Sequence, residues 1–169
     1  LSALAHIEKF DTDGLTLINK WKNGIDLETY TLKENWQDQT EFGYSGDFSH
    51  AWGGSPLYFM SSRILGVTPE KPGYKAIKFV PYVSDHLIWA KGTVPVNDGN
   101  FVSVFWERSG KSKYTYHVKI PENYNAILYH PEKLNFYDLR INKKNYGKAH
   151  HPIILSDSQN VIEYTMMDD

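Results

Sequence analysis

The sequence predicts a mixed fold, with a short helical N-terminal segment over residues 1–73 and an antiparallel β-sandwich over residues 74–169. Three observations predict it. Apolar spacing near 3.6 in SPLYFMSSRILG gives way to period 2 around Pro69–Tyr74. Eight short runs rich in β-branched and aromatic residues then follow, separated by turn formers and by no helical pattern. Within them, Asn97-Asp98-Gly99-Asn100 is a hairpin signal, because Asp-Gly tolerates positive φ.

Taken in chain order, Thr12 and Asp13 are positioned to cap a helix that aligns Leu15, Ile18 and Trp21, with Gly24 as its stop. The DTDG stretch is a cap rather than a calcium loop, since its glycine follows Asp13 at once and the later ligand positions are missing. A second helix is predicted over 56–65. Ser55 is its N-cap, Pro56 its first residue and Gly66 its stop, and its Leu57, Met60 and Ile64 face is expected to pack against neighbouring structure. The expected strands lie in AIKFVPYV, HLIWAKGTVPV, NFVSVFWERS, KYTYHVKI, NAILYH, NFYDLRI, PIILS and NVIEYTM. Seven or eight strands without an intervening helix favour a sandwich.

With 169 residues the chain is long enough to bury about 70 % of its extended surface without covalent staples. It has no cysteine, which removes thiol nucleophiles, disulfides and cysteine-ligated metals. Three arginines among eighteen basic residues, with a net charge of -2, leave no dense footprint for nucleic acid. No apolar run is long enough to span a membrane as a helix. Residues 1–73 hold six basic and ten acidic side chains, so the first part of the chain is the acidic one. Two or three helices there are too few to enclose Trp21, Leu27, Leu32 and Trp36, so either the sandwich face or another part of a longer polypeptide is expected to cover them, and exposed apolar surface is expected if the chain is alone.

The densest polar and aromatic stretch runs from Tyr30 to Gly54. It holds Glu34, Asp38, Glu41, Asp47 and His50 among Trp36, Phe42, Tyr44, Phe48 and Trp52. Sugars suit such a mixture, because a ring face packs on an aromatic while hydroxyls seek carboxylate or imidazole partners. By composition alone Glu34 also reads as a solvated carboxylate, His50 as a loop residue and the tryptophans as core. No HExxH, GxSxG, P-loop or dinucleotide pattern occurs, and no metal or cofactor is implied.

TLKENW at 31–36, DFSHAWGGSPLYFMSSRILGV at 47–67, PGYKAIKFVPYV at 72–83 and VPVNDGNFVSVFWERSG at 94–110 occur in an order that resembles the inverting α-L-rhamnosidases. These are large glycoside hydrolases with an (α/α)6 barrel followed by a C-terminal β-sandwich. The resemblance implies that residues 1–73 are the terminal helical segment of a catalytic barrel and that 74–169 are its accessory sandwich. It places Glu34 at the general base and His50 at a rhamnose contact, with Trp36 and Trp52 as further substrate-binding candidates. A base of this kind deprotonates water on the face opposite the leaving oxygen, while a separate acid about 6.5–9.5 Å away protonates that oxygen.

The family's acid lies in an earlier barrel segment, outside this chain, so the isolated chain is expected to be inactive. Lys33 replaces the family's usual aromatic beside the base. It either lowers the pKa of Glu34 or snorkels outward. The expected partners are a rhamnose-containing glycoside and the rest of the parent barrel, with no nucleic acid and no membrane. Glu34 and His50 are expected to share one cleft, although Gly43 and Gly46 argue against one helix between them. A second reading makes the chain a non-catalytic carbohydrate-binding module with Trp36, Trp52, Trp89 or Trp106 as a stacking platform. A third makes the sandwich purely structural.

Overall fold

A computed structural model describes residues 9–28, 30–33, 51–130, 136–149 and 151–167, without the side chains of Trp52 and Tyr137. The chain divides into two compact units, Leu1–Met60 and Ser61–Asp169.

In the first unit a π-helical turn, Phe10–Gly14, leads into the helix Leu15–Trp21, which tightens to a 3-10 turn over Lys22–Gly24 before Ile25 turns extended. Gly24 therefore stops the helix as expected. The expected cap does not form: the helical path begins at Phe10, inside which Thr12 and Asp13 already lie, so neither sits at a terminus. Thr12 Oγ1 instead donates to the Lys9 carbonyl at 3.4 Å, and Asp13 lies 4.0 Å from the Lys9 ammonium. Two short strands follow, β1 (Ile25–Asp26) and β2 (Thr31–Leu32), paired antiparallel.

The second predicted helix is present as Ser55–Phe59 continued by a π-helical turn, Met60–Ile64. Pro56 stands in its first turn, where its missing N–H costs nothing. Gly54, not Ser55, occupies the N-cap, with no side-chain bond. The buried side chains are Pro56 and Phe59, and Phe59 packs on Phe10 with ring centroids 6.0 Å apart. Leu57 is 63 % exposed and Met60 is exposed as well, so the expected Leu57, Met60 and Ile64 face is corrected. Apolar residues occupy every side of this helix, which leaves neighbours rather than spacing to choose the buried face. The wider π turn further rotates Ile64 out of line with Leu57.

The second unit is the sandwich. One sheet has four strands in the order β11-β8-β4-β3, formed by β3 (Val67–Lys71), β4 (Ala76–Phe79), β8 (Ala126–Leu128) and β11 (Ile153–Leu155). The other has six, in the order β10-β9-β12-β7-β6-β5: β5 (Trp89–Pro95), β6 (Phe101–Ser109), β7 (Lys113–Lys119), β9 (Phe136–Ile141), β10 (Lys144–Asn145) and β12 (Gln159–Met166). No helix interrupts 86–130. Pairing is antiparallel except between β4 and β8, where Ile77, Lys78 and Phe79 align with Ala126, Ile127 and Leu128 in parallel. The chain passes through β5, β6 and β7 of the other sheet between these two strands, and such a crossover is what permits β8 to return in the same direction.

Alternation along the strands builds the core. Val102, Val104 and Trp106 point inward from β6, as do Tyr114, Tyr116 and Val118 from β7 and Ile162 and Tyr164 from β12. They meet Val67, Ile77, Phe79 and Leu128 of the smaller sheet, with the Phe79 ring edge-on to Tyr116 at 6.1 Å. The β5–β6 connection bears out the hairpin signal: Asp98 and Gly99 have φ of 57° and 71°, and Asn100 N–H donates to Asn97 O at 3.1 Å. Gly66 opens the sandwich with φ 71°, and a Cβ there would stand 2.0 Å from the Val80 carbonyl oxygen. Only glycine fits, since both the dihedral and the close backbone approach exclude a side chain.

The buried phenols are hydrogen-bonded. Tyr114 donates to Ser84 O at 2.9 Å, Tyr116 to Tyr82 O, and Tyr164 Oη lies 2.8 Å from His130 Nδ1. Burial raises the pKa of all three above the ordinary value near 10.0, Tyr116 and Tyr164 most strongly. A raised acid pKa means that the unfolded chain releases these protons first. Their contribution is therefore fully present below about pH 10 and declines as pH rises further. Thermal unfolding followed at increasing alkaline pH, alongside tyrosinate absorbance, should show three tyrosines ionising only as the fold is lost. Ionisation of all tyrosines with the sandwich intact would contradict this burial.

Candidate functional site

Glu34, Trp36 and His50 belong to residues 34–50, which lie outside the described residues, as does the side chain of Trp52. The described structure gives the two ends of that segment. On the entering side, β1 and β2 pair Ile25 with Leu32 and Asp26 with Thr31. Asp26 Oδ1 accepts from Glu28 N–H at 3.0 Å, an Asx turn that bends the chain back, and Tyr30 takes up a left-handed φ of 55° within the connection.

Lys33 ends this hairpin, donating its N–H to Gly24 O at 2.7 Å. Its Nζ lies 3.2 Å from Asp26 Oδ2, and the Asp26 side chain is only 13 % exposed. The outward projection entertained for Lys33 is thus replaced by an ion pair along the hairpin. A partly shielded pair of this sort holds the backbone at residue 33 from two directions.

On the leaving side, Ala51–Gly54 forms a 3-10 turn that runs directly into the helix Ser55–Phe59. The two ends touch. A Cβ on Gly53 would lie 2.6 Å from Leu32 Cβ, closer than side-chain carbons approach, so the turn passes Leu32 only because residue 53 has none. Leu32, at the end of the hairpin, and Gly53, just before the helix, are thus in contact. Sequence reasoning assigned no part to Asp26 or Gly53. The Asp-x-Glu turn pattern and the Gly53-Gly54 pair before a helix were the available signals.

In the sandwich, Trp106 is fully buried, its Nε1–H donating to Ile64 O at 2.8 Å and its ring lying 6.0 Å from Tyr82. It has no face to offer a ligand and leaves the proposed stacking platform. Trp89, on β5, is 58 % exposed. Among the described residues no group of three His, Asp or Glu side chains is arranged to hold a metal ion.

Residues 66–136 match the family model described as "Bacterial alpha-L-rhamnosidase C-terminal domain". No curated protein sequence matches the chain. Among solved structures, the alpha-L-rhamnosidase from Dictyoglumus thermophilum is similar with a TM-score of 0.63 at 18 % identity, over 79 % of this chain and 16 % of that one. The Streptomyces avermitilis alpha-L-rhamnosidase complexed with L-rhamnose gives 0.54 at 21 %, over 79 % of this chain and 13 % of that one. The GH78 family rhamnosidase of Bacillus sp. GL1 gives 0.50 at 26 %, over 77 % and 15 %. The chain spans about a sixth or less of the length of these rhamnosidases. The sandwich is distantly related to the C-terminal domain of GH78-family rhamnosidases, and a short helical segment precedes it.

Proposed function

We propose that this chain is the C-terminal part of a glycoside hydrolase that removes terminal α-L-rhamnosyl residues with inversion. Its first residues close the catalytic barrel and its sandwich supports them. The observation that carries the reading is the match of residues 66–136 to the rhamnosidase C-terminal domain, directly behind the segment that holds the rhamnosidase-like Glu34 and His50 motifs.

Glu34 is the general base, His50 contacts the sugar, and Trp36 and Trp52 line the pocket; the contact between Leu32 and Gly53 supports a common neighbourhood for residues between those stems. The general acid and most of the sugar contacts come from the remainder of the barrel. Exposed apolar side chains support that missing cover: Leu27 is 77 % exposed, and Ile25, Tyr30, Leu57 and Tyr58 are exposed with it. Exposed large apolar side chains in this number favour a further surface that covers them.

An aryl α-L-rhamnoside given to the intact parent and to residues 1–169, with the product anomer followed by NMR, tests the proposal. The parent should release the β-anomer first and the 169-residue chain should release nothing. An α-anomer as first product rejects inversion, and turnover by 1–169 alone rejects the placement of the acid elsewhere.

A further inference from the structure

The outer face of the larger sheet carries a concave surface of its own. Strands β5, β6, β7 and β12 lie side by side, and their outward positions fall into two rows across the sheet. The first row is Lys91, Phe105, His117 and Val161, and the second is Thr93, Ser103, Lys119 and Gln159. These rows line an open trough of about 600 Å³. Three strand spacings make it roughly 14 Å wide. The Phe105 and His117 rings stack at its centre, 5.7 Å apart and inclined by 25°.

The charge of the trough is one-sided. No Asp or Glu lines it, and neither Lys91 nor Lys119 makes an ion pair among the described residues. Lys91 stands beside Phe105 on one side, and Lys119 lies two residues beyond His117 on the other. Hydroxyls of Thr93 and Ser103 and the amide of Gln159 fill the second row.

We propose that this trough binds an acidic oligosaccharide. A sugar ring packs its apolar face on the Phe105–His117 pair, its hydroxyls meet Thr93, Ser103 and Gln159, and uronate carboxylates bond to the Lys91 and Lys119 ammonium groups. Other occupants fit less well. The trough is a surface of side chains on the face of the sheet, whereas strand addition by a peptide would use the free backbone edge of β5. Two lysines are too few for a polyphosphate backbone, whose binding rests on neutralising many phosphates at once. This inference does not depend on Glu34 or on rhamnoside hydrolysis.

The probe is trigalacturonate, titrated into the 169-residue chain by calorimetry and by NMR, with the same trisaccharide carboxyl-reduced to alcohols as control. Binding should weaken with added salt. It should shift resonances of residues 91, 103, 105, 117 and 119, and exceed that of the reduced control about tenfold or more, the ratio expected from one charge-assisted contact. Lys91→Ala and Lys119→Ala together, and Phe105→Ala separately, should each weaken it by about tenfold or more. The lysines are exposed, so their removal leaves the fold intact, which the thermal transition verifies. Absence of binding, equal affinity for the reduced trisaccharide, or unchanged affinity in the double lysine variant would overturn the proposal.

Discussion

Glu34→Gln in the intact parent enzyme is expected to lower turnover of an aryl α-L-rhamnoside by about 10²–10⁴-fold, the usual contribution of a positioned general base. The amide keeps the volume and much of the hydrogen-bonding shape of the carboxylate, yet it has no basic oxygen to take the proton of the attacking water. Substrate affinity should survive, because the proposed ring contacts belong to His50, Trp36 and Trp52. Loss confined to kcat identifies a group that acts in the transition state, whereas a rise in KM alone would identify simple binding. Near-normal turnover by the variant would reject the role and return attention to Asp38, Glu41 and Asp47. The Lys33–Asp26 ion pair, at 3.2 Å, offers an internal control: Lys33→Met should loosen the hairpin while leaving Glu34, the proposed base, in place.

Trp106→Ala should be the most damaging single truncation in the sandwich, by about 3–5 kcal/mol, as expected for a large aromatic deleted from a packed core. Its ring lies 6.0–6.4 Å from Tyr82, Tyr114 and Tyr116, so removal opens a cavity among rings that are themselves held by hydrogen bonds and have little freedom to collapse. Trp106→Phe separates two parts of this loss. It keeps most of the apolar volume but removes the indole donor to the part-buried Ile64 carbonyl, a net loss of about 0.5–1.5 kcal/mol. Urea unfolding of the three proteins checks the ordering. A Trp106→Ala variant as stable as the parent chain would show that the β6–β7 aromatic layer does not carry the core.

Each of the eight apolar runs read from the sequence contains a strand, because alternation of buried and exposed positions is a local property that survives whatever the partner strand is. The Asn97–Asn100 turn was legible for the same reason: left-handed φ at Asp98 and Gly99 is a demand on two residues only. Val67–Lys71 escaped notice because Pro69, Glu70 and Lys71 do not resemble a strand. The structure tolerates them since β3 is the edge of its sheet, where a missing N–H need not break a ladder. The candidate site was legible as composition and order of motifs around Glu34 and His50, and that segment falls outside the described residues. The trough on the larger sheet left no mark in the linear text: Lys91, Phe105, His117 and Val161 come from four strands and meet only through pairing register.

By itself the sequence determined the change from helical to strand periodicity, the existence and approximate place of most strands, the tight turn at Asp98-Gly99 and the absence of any thiol chemistry. These depend on each residue's own dihedral preference, polarity or functional group. Only the tertiary structure decided that β4 and β8 run parallel, that Pro56 and Phe59 rather than Leu57 and Met60 are covered, that Trp106 is core while Trp89 is surface, and that Leu32 meets Gly53. Each of these is a choice of neighbour. Local sequence states what a side chain can bury or pair, whereas the partner that buries or pairs it is selected by long-range packing, where many apolar residues compete for few covered positions.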